Sequence, residues 1–492
     1  MQLAPHTPVL VGWGQINRRD ADPATEPLDL MVAAARRAAD ARVLEALDAI
    51  RVVNVLSWRY RDPGLLLGRR LGAGDFSTGY SGVGGNAPQT MVNQACVDIQ
   101  RGAARLVMIA GAETWRTRTK LREQGRKPDW TRQDDSVPPA RLGDAVSDVP
   151  MAGPAEQRIE LVRPAHVYPL FEQALRITAG ESPDEHRRRI GELWSQFSAV
   201  AEHNPDAWSR QRLPAERIWR PAPDNRMISW PYTKLLNSNN MVDQGAVIIL
   251  ASADTAARLN IPRERWVFPH AGTDAHDTYA IGERFDYHSS PAIRIAARRA
   301  GELAGVGIED IGLIDVYSCF PSAVQVAAAE LGLPVGDRAR PLTVTGGLTF
   351  AGGPWNNYVT HSIATMADAL VAGLGSRGLI TANGGYLTKH SIGIYATEPP
   401  GEFRWQDVQS EVDREPTRCA EVQWEGVGTV ESWTVPFDRG GRPEKAFVAA
   451  RTPGDTRTLA VITDASEAAA AVGDDIAGVK VRVRADGTAS LL

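Results

Sequence analysis

Gly84-Gly85-Asn86-Ala87-Pro88 is a place in this sequence where chemistry could be held. The two glycines let a ligand come close to the backbone. Asn86 and Pro88 suit the N-cap and first turn of an amphipathic helix that the pattern predicts at about Pro88 to Arg101. A helix start set in a pocket offers backbone N–H groups and a partial positive charge. Those can hold a thioester oxygen or a carboxylate without a covalent bond. A tight turn would use the same residues. A second candidate is the basic run Arg116, Arg118, Lys120, Arg122, Arg126 and Lys127, which follows Trp115. Arginine forks suit phosphate groups, and a solvated loop is the plain alternative. The thiols Cys96, Cys319 and Cys419 are too few and too scattered for a disulfide framework or a zinc site, so no metal is expected.

These groups need elements to position them. The chain has 492 residues and a formal net charge of −5, which implies several domains and argues against nucleic acid as a partner. No stretch reaches the ~18–20 apolar residues of a membrane span, and the N-terminus lacks a signal-peptide pattern, so a cytoplasmic protein is expected. Strand-like and helical runs alternate through Pro8–Gly12, Leu28–Ala41, Val52–Leu56, Pro88–Arg101 and Leu106–Ala112, which predicts a mostly parallel sheet. A long polar excursion, about 115–242, interrupts the alternation. Alternation resumes at Ala246–Ala251 and runs on through a second stretch to Ala396. From Arg404 onward five short strands are expected, at Glu421–Trp424, Gly428–Val435, Lys445–Ala450, Thr458–Ile462 and Gly478–Arg484, with a helix at Ser466–Val472. These predict a small barrel beyond a linker at Glu398–Gly401.

Four segments, in order, carry a resemblance to the thiolase superfamily. Ser81–Gly102 (SGVGGNAPQTMVNQACVDIQRG), with the following LVMIAGAE, is similar to the family's nucleophile turn, buried helix and next strand. Leu313–Phe320 (LIDVYSCF) is similar to the strand ending in Asn-Glu-Ala-Phe or His-Asp-Cys-Phe. Gly346–Pro354 (GGLTFAGGP) is similar to the turn ending in Gly-His-Pro, and Leu379–Ala396 to the final strand–turn–strand with its Cys-x-Gly. The β-rich end resembles a type 1, SCP2-thiolase-like group known from mycobacteria, which carries an OB-like C-terminal domain.

The resemblance implies an α/β thiolase fold of two βαβαβαββ halves in five layers, αβαβα. It implies an N-terminal half at 1–114 plus 243–262, a loop domain at 115–242, a C-terminal half at 263–400 and an OB-like β-barrel at 404–492. It also implies which chemistry is lost. Gly85 stands where the nucleophilic cysteine belongs, Gly353 replaces the Gly-His-Pro histidine, and Asn383 replaces the second cysteine. Tyr317 and Ser318 replace the Asn-Glu or His-Asp pair. A thiolate is needed to carry an acyl group, and an amide cannot shuttle protons. Cys96 lies about three turns along the helix and reads as core.

The expectation is therefore a member of the acetyl-CoA acetyltransferase family in lipid metabolism that binds CoA or acyl-CoA without ordinary thiolase activity. Gly84, Gly85, Asn86, Arg116, Arg118, His166 (in PAHVYPLFE) and Gly352 would line its ligand site. Coenzyme A or its thioester is expected as ligand, with no separate cofactor. Two alternatives stand beside this. One is an active C–C lyase or acyltransferase using Tyr317, with His390 and Cys319 as further candidates. The other is a partner-binding module built on the OB-like end. Monomer and homodimer are both open.

Overall fold

The computed structural model describes residues 3–142 and 149–492. Strands β1 (Pro8–Asn17), β2 (Ala49–Val52), β3 (Ser77–Tyr80) and β4 (Leu106–Thr114) come first. A short hairpin, β5 (Met227–Trp230) and β6 (Tyr232–Thr233), precedes β7 (Asp243–Ser252). The first sheet has the order β1-β7-β4-β2-β3. Every residue of β4 and β7 is buried, which is why Leu106–Ala112 and Ala246–Ala251 within them read as unbroken apolar runs. The expectation of a mostly parallel sheet needs correcting. β2 is parallel to β3 and β4, but β7 runs antiparallel to both β1 and β4. The chain reaches β7 from the long excursion and not over a crossover helix, so nothing forces the parallel sense. The second strand also sits earlier than its apolar run suggested, at Ala49–Val52.

The second sheet is built from β8 (Phe268–His276), β9 (Leu313–Asp315), β10 (Arg377–Gly384), β11 (Lys389–Ala396) and β12 (Arg404–Asp407), in the order β12-β8-β11-β10-β9. The path β8-β11-β10-β9 repeats β1-β7-β4-β2, so the two halves share one topology. Helices Ala87–Gln100 and Tyr358–Val371 lie between the sheets, each touching strands of both. Pro27–Ala38 packs on the outer face of the first sheet and Pro291–Ala304 on that of the second. This is the five-layer arrangement of a thiolase fold. Among the described residues no helix is long and apolar enough to cross a membrane.

The C-terminal strands are β13 (Gly426–Pro436), β14 (Ala446–Arg451), β15 (Arg457–Ile462), β16 (Lys480–Val483) and β17 (Ala489–Leu491). They pair in the order β15-β14-β13-β16-β17, and a parallel bridge from Val461 to Thr488 closes the ring. The helix Ala465–Gly473 connects β15 to β16. The expected strand at Glu421–Trp424 does not form. Glu421 N–H donates to the Arg457 carbonyl at 2.7 Å, and the chain then turns so that the Trp424 ring covers Gly426. The missing place in the ring is filled by β17.

Among the ties that fix this barrel to the rest, two show how it is seated. β5 pairs with the end of β13 through Trp230 and Ser229, and the Ser229 and Thr434 hydroxyls meet at 2.7 Å. Arg457, fully buried, donates to Glu431 at 2.7 and 2.9 Å and to the carbonyls of Gly282 (3.1 Å), Phe285 (3.2 Å) and Arg284.

Candidate functional site

Two glycine turns, one from each half, meet backbone to backbone. A Cβ built on Gly384 would stand 3.1 Å from Gly84 Cα and 3.2 Å from Gly85 N. Gly84 has φ +158, and its N–H donates to Asn356 Oδ1 at 3.1 Å. Asn356 in turn donates to the Asn54 carbonyl at 2.9 Å, which pins the turn from below.

Gly85 has no room for a side chain. A Cβ there would overlap Tyr317 Oη and the Asn383 carbonyl oxygen, and would lie 2.9 Å from Tyr317 Cζ. The phenol thus occupies the volume a nucleophile would need. Tyr317 is set by its backbone N–H, which donates to Thr381 Oγ1 at 2.9 Å, and by an edge-on contact with Tyr358 at 5.5 Å. Its hydroxyl has no hydrogen-bond partner among the described residues. Burial, and then the neighbouring Cys319, push its pKa well above the ordinary phenol value. At neutral pH Tyr317 is therefore an O–H donor.

Cys319 follows two residues later and is buried. Burial drives its thiol up to about 12, against smaller opposing effects from Tyr168 and Asn383, so it is no nucleophile at neutral pH. Asn383 Nδ2 donates to Tyr168 Oη at 2.9 Å and lies 3.8 Å from Cys319 Sγ. Tyr168 Oη donates to the Gly385 carbonyl at 3.1 Å and accepts from Leu387 N–H at 2.9 Å. Tyr168 was missed by sequence reasoning, although it lies in the PAHVYPLFE segment. His166 was chosen there instead, and it faces away. Its ring sits 5.9 Å from Phe447 of the barrel, and burial beside Arg163 and Lys445 lowers its pKa to about 4.

His390 pairs in register with Asn383 across β10 and β11. Its Nε2 lies 3.1 Å from the Leu387 carbonyl and 3.5 Å from Asp277 Oδ2. Burial alone would raise the Asp277 pKa, but Arg284, His390 and Ser290 together bring it down to about 2. His390 is thus tied into a buried ionic cluster and is not directed at Tyr317. Asn86 does not cap its helix as expected. Its backbone is already helical, with φ −75 and ψ −23, and its Nδ2 reaches forward to Thr90 Oγ1 at 3.4 Å.

Gly353 is also filled from outside. A Cβ there would meet Asn240 Oδ1 at 2.8 Å, while its N–H donates to the Asn239 carbonyl at 2.9 Å. Gly352, at φ +108, makes way for the Gln244 side chain. Two residues past Gly353, the Trp355 ring packs at 4.9 Å against Trp115, and Arg118 lies 5.2 Å over Trp115. Arg116 donates to the Arg19 carbonyl at 2.6 Å and faces Trp208 at 6.0 Å. Structure therefore brings together Gly84, Gly85, Asn86, Tyr317, Cys319 and Asn383. Gly352 and Gly353 pack against Gln244 and Asn240, Arg116 and Arg118 lie on the helix that begins at Trp115, His166 stands apart, and His390 lies across the strand pair from Asn383 with its ring on Asp277.

The comparisons with known proteins agree with this layout. Residues 407–488 match the family model for the thiolase-like protein type 1 additional C-terminal domain. A crystal structure of a monomeric SCP2-thiolase-like protein type 1 from Mycobacterium smegmatis superposes with a TM-score of 0.85, at 28% identity, covering 100% of both chains. The chain thus carries a type 1 C-terminal domain and is thiolase-like over its whole length. Other matches to this thiolase-like chain are more distant. An Ltp2–ChsH2(DUF35) aldolase structure is similar with a TM-score of 0.58 and 16% identity, covering 80% of this chain and 99% of that one, and it speaks for the fold alone. An acetyl-CoA acetyltransferase from Methanothermobacter thermautotrophicus is 29% identical over 132 residues, which is 27% of this chain and only 32% of that relative's length.

Proposed function

We propose that this thiolase-like chain binds CoA or acyl-CoA thioesters beside Gly85 and holds them without forming an acyl-enzyme. One observation carries the reading: the side-chain volume at Gly85 is taken by Tyr317 Oη and the Asn383 carbonyl. In this reading the neutral Tyr317 phenol donates to the thioester oxygen, aided by the N-terminus of helix Ala87–Gln100. Arg116 and Arg118, on the helix beside the Trp115–Trp355 pair, are the proposed partners of the CoA phosphates. Acyl-CoA binding would place the chain in lipid metabolism, without a separate cofactor. The ring order of the C-terminal barrel, with its helix between the third and fourth strands, supports reading it as OB-like.

The test combines calorimetric titration of CoA and acetyl-CoA with intact-protein mass spectrometry after incubation with acetyl-CoA and acetoacetyl-CoA. Saturable binding and an unshifted mass are expected. Tyr317→Phe should weaken thioester binding about 5- to 10-fold while leaving free CoA nearly unaffected. Robust thiolysis of acetoacetyl-CoA, or a covalent acyl adduct, would end the proposal.

A further inference from the structure

A groove of about 960 Å³ lies along the helix Pro183–His203, which belongs to the long excursion. That volume is in the range of small-molecule sites. One face of the helix, with Trp194, Phe197 and Ala201, is buried, and Ala201 packs on the Gly346 turn. Another stripe, with Glu192, Gln196, Ala199 and His203, lines the groove, as a spacing of three or four residues allows. Gly84, Gly85, Tyr317, Cys319 and Asn383 are not among its walls, so this is a second space. Its far wall is aliphatic. Ala369 and Ala372 come from the end of helix Tyr358–Val371, Leu313 from β9, and Val344 from the segment that leads to the Gly346 turn. Leu374 on the same wall is 72% exposed, an apolar surface left for something to cover.

The lining limits what can bind. No phenylalanine, tyrosine or tryptophan ring lines the groove, so a nucleotide base has nothing to stack on there. Small aliphatic side chains leave room for a flexible hydrocarbon chain. Charge is placed unevenly. Arg212 and Arg338 line the groove from different segments, and neither makes a hydrogen bond or ion pair among the described residues. Their neighbours tie both segments to the middle of the helix. Leu213 N–H donates to Ser198 Oγ at 2.9 Å, and Gln196 Nε2 donates to the Gly336 carbonyl at 3.3 Å. Glu192 is the carboxylate on this part of the helix, so two guanidiniums against one carboxylate leave it positive. Asp206 and Asp368 neighbour one another past His203, and Asp368 accepts from Trp13 Nε1 at 2.6 Å. An anionic head is drawn to the arginines and repelled from the two aspartates.

We infer that this groove binds a straight-chain aliphatic carboxylate, with its head at Arg212 and Arg338 and its chain against Ala199, Ala369 and Ala372. The guanidinium fork fits a carboxylate in two parallel hydrogen bonds. Each methylene taken from water is worth about 2- to 4-fold in affinity, so chain length reads out contact with the walls.

The test is a calorimetric titration of the full chain with hexanoate, octanoate and decanoate, each below its micelle concentration, and with 1-octanol, octylammonium and octyl phosphate. We expect saturable binding of one carboxylate per chain, tightening with each methylene, and octanoate about tenfold tighter than 1-octanol or octylammonium. In the double variant Arg212→Gln, Arg338→Gln, octanoate should fall to the level of 1-octanol, whose own affinity should not change. Ala372→Trp should fill the groove and remove decanoate binding. Ala199→Trp does the same from the opposite wall and replaces the first variant if circular dichroism shows that it does not fold. No saturable binding of any carboxylate, or affinity independent of chain length, would overturn the inference. A preference for octanoate that persists in the double variant would overturn the placing of the head, and octyl phosphate binding more tightly than octanoate would overturn the carboxylate. Decanoate binding kept in a folded tryptophan variant would place the ligand elsewhere and overturn the groove.

Discussion

At the scale of the residue, Gly85 and Tyr317 are one feature. A cysteine placed at 85 has no room for its side chain, because the space is already occupied from two directions. Gly85→Cys should destabilise the chain by about 1–3 kcal/mol through overpacking. Pairing it with Tyr317→Ala should recover only part of that loss, since the Asn383 carbonyl stays in place. Thermal melts of the wild type, both single variants and the double variant would show it, and full recovery would contradict the backbone contact. The turns at Gly85, Gly353 and Asn383 were legible as motifs. What packs against each of them was not. Tyr317 and Asn240 reach these positions from segments far away in the chain, and no local spacing encodes that meeting. Tyr168 shows the limit well: the motif was noticed, but which of its side chains turns inward depends on helix phase against a distant turn.

Elements were legible where periodicity was strong. The helix at Pro291–Ala304 is bounded by Ser290, whose side chain accepts from Ile293 N–H, and by Gly305 at φ +68, the cap types a sequence advertises. Strand sense and the far end of the barrel were not legible. β17 is three residues long, too short to show alternation, and the apolar hint at Glu421–Trp424 took its place. Arg457 is the sharpest case at this scale. A charge at the start of a strand reads as solvated, yet this one is buried against Glu431 and three carbonyls of the second half. Arg457→Met should cost about 3–5 kcal/mol, because Glu431 loses its close buried donor and keeps only Arg451 at 3.5 Å, while three carbonyls lose theirs. Calorimetry should show a lowered melting temperature, and limited proteolysis should cut first between Glu398 and Gly426. A variant as resistant as the wild type would mean the barrel is held by its other contacts.

For the whole molecule, buried neutral histidines set the acid limit. Burial lowers His361 to about 3, and its Nε2 has no partner. His166 is lowered to about 4. A base with a depressed folded pKa is protonated more readily in the unfolded chain, so stability is full above the unfolded value of about 6.5 and falls as pH drops toward the folded value. His361 alone should remove about 2 kcal/mol between pH 6.5 and pH 5. Chemical denaturation at pH 7 and pH 5 would measure this, and His361→Gln should flatten the difference by about that amount. The two-half architecture was legible from the repeated order of strands and helices, but the ties between excursion and barrel were not. The pairing of Trp230 with Val435 has a consequence for synthesis. The excursion cannot take its final place until the ribosome has made β13, some 10–40 s after β5 at ordinary elongation rates. Through that interval the hairpin edge at 227–233 is an open docking strand, and the nascent chain depends on its own C-terminus arriving before a chaperone or another chain does.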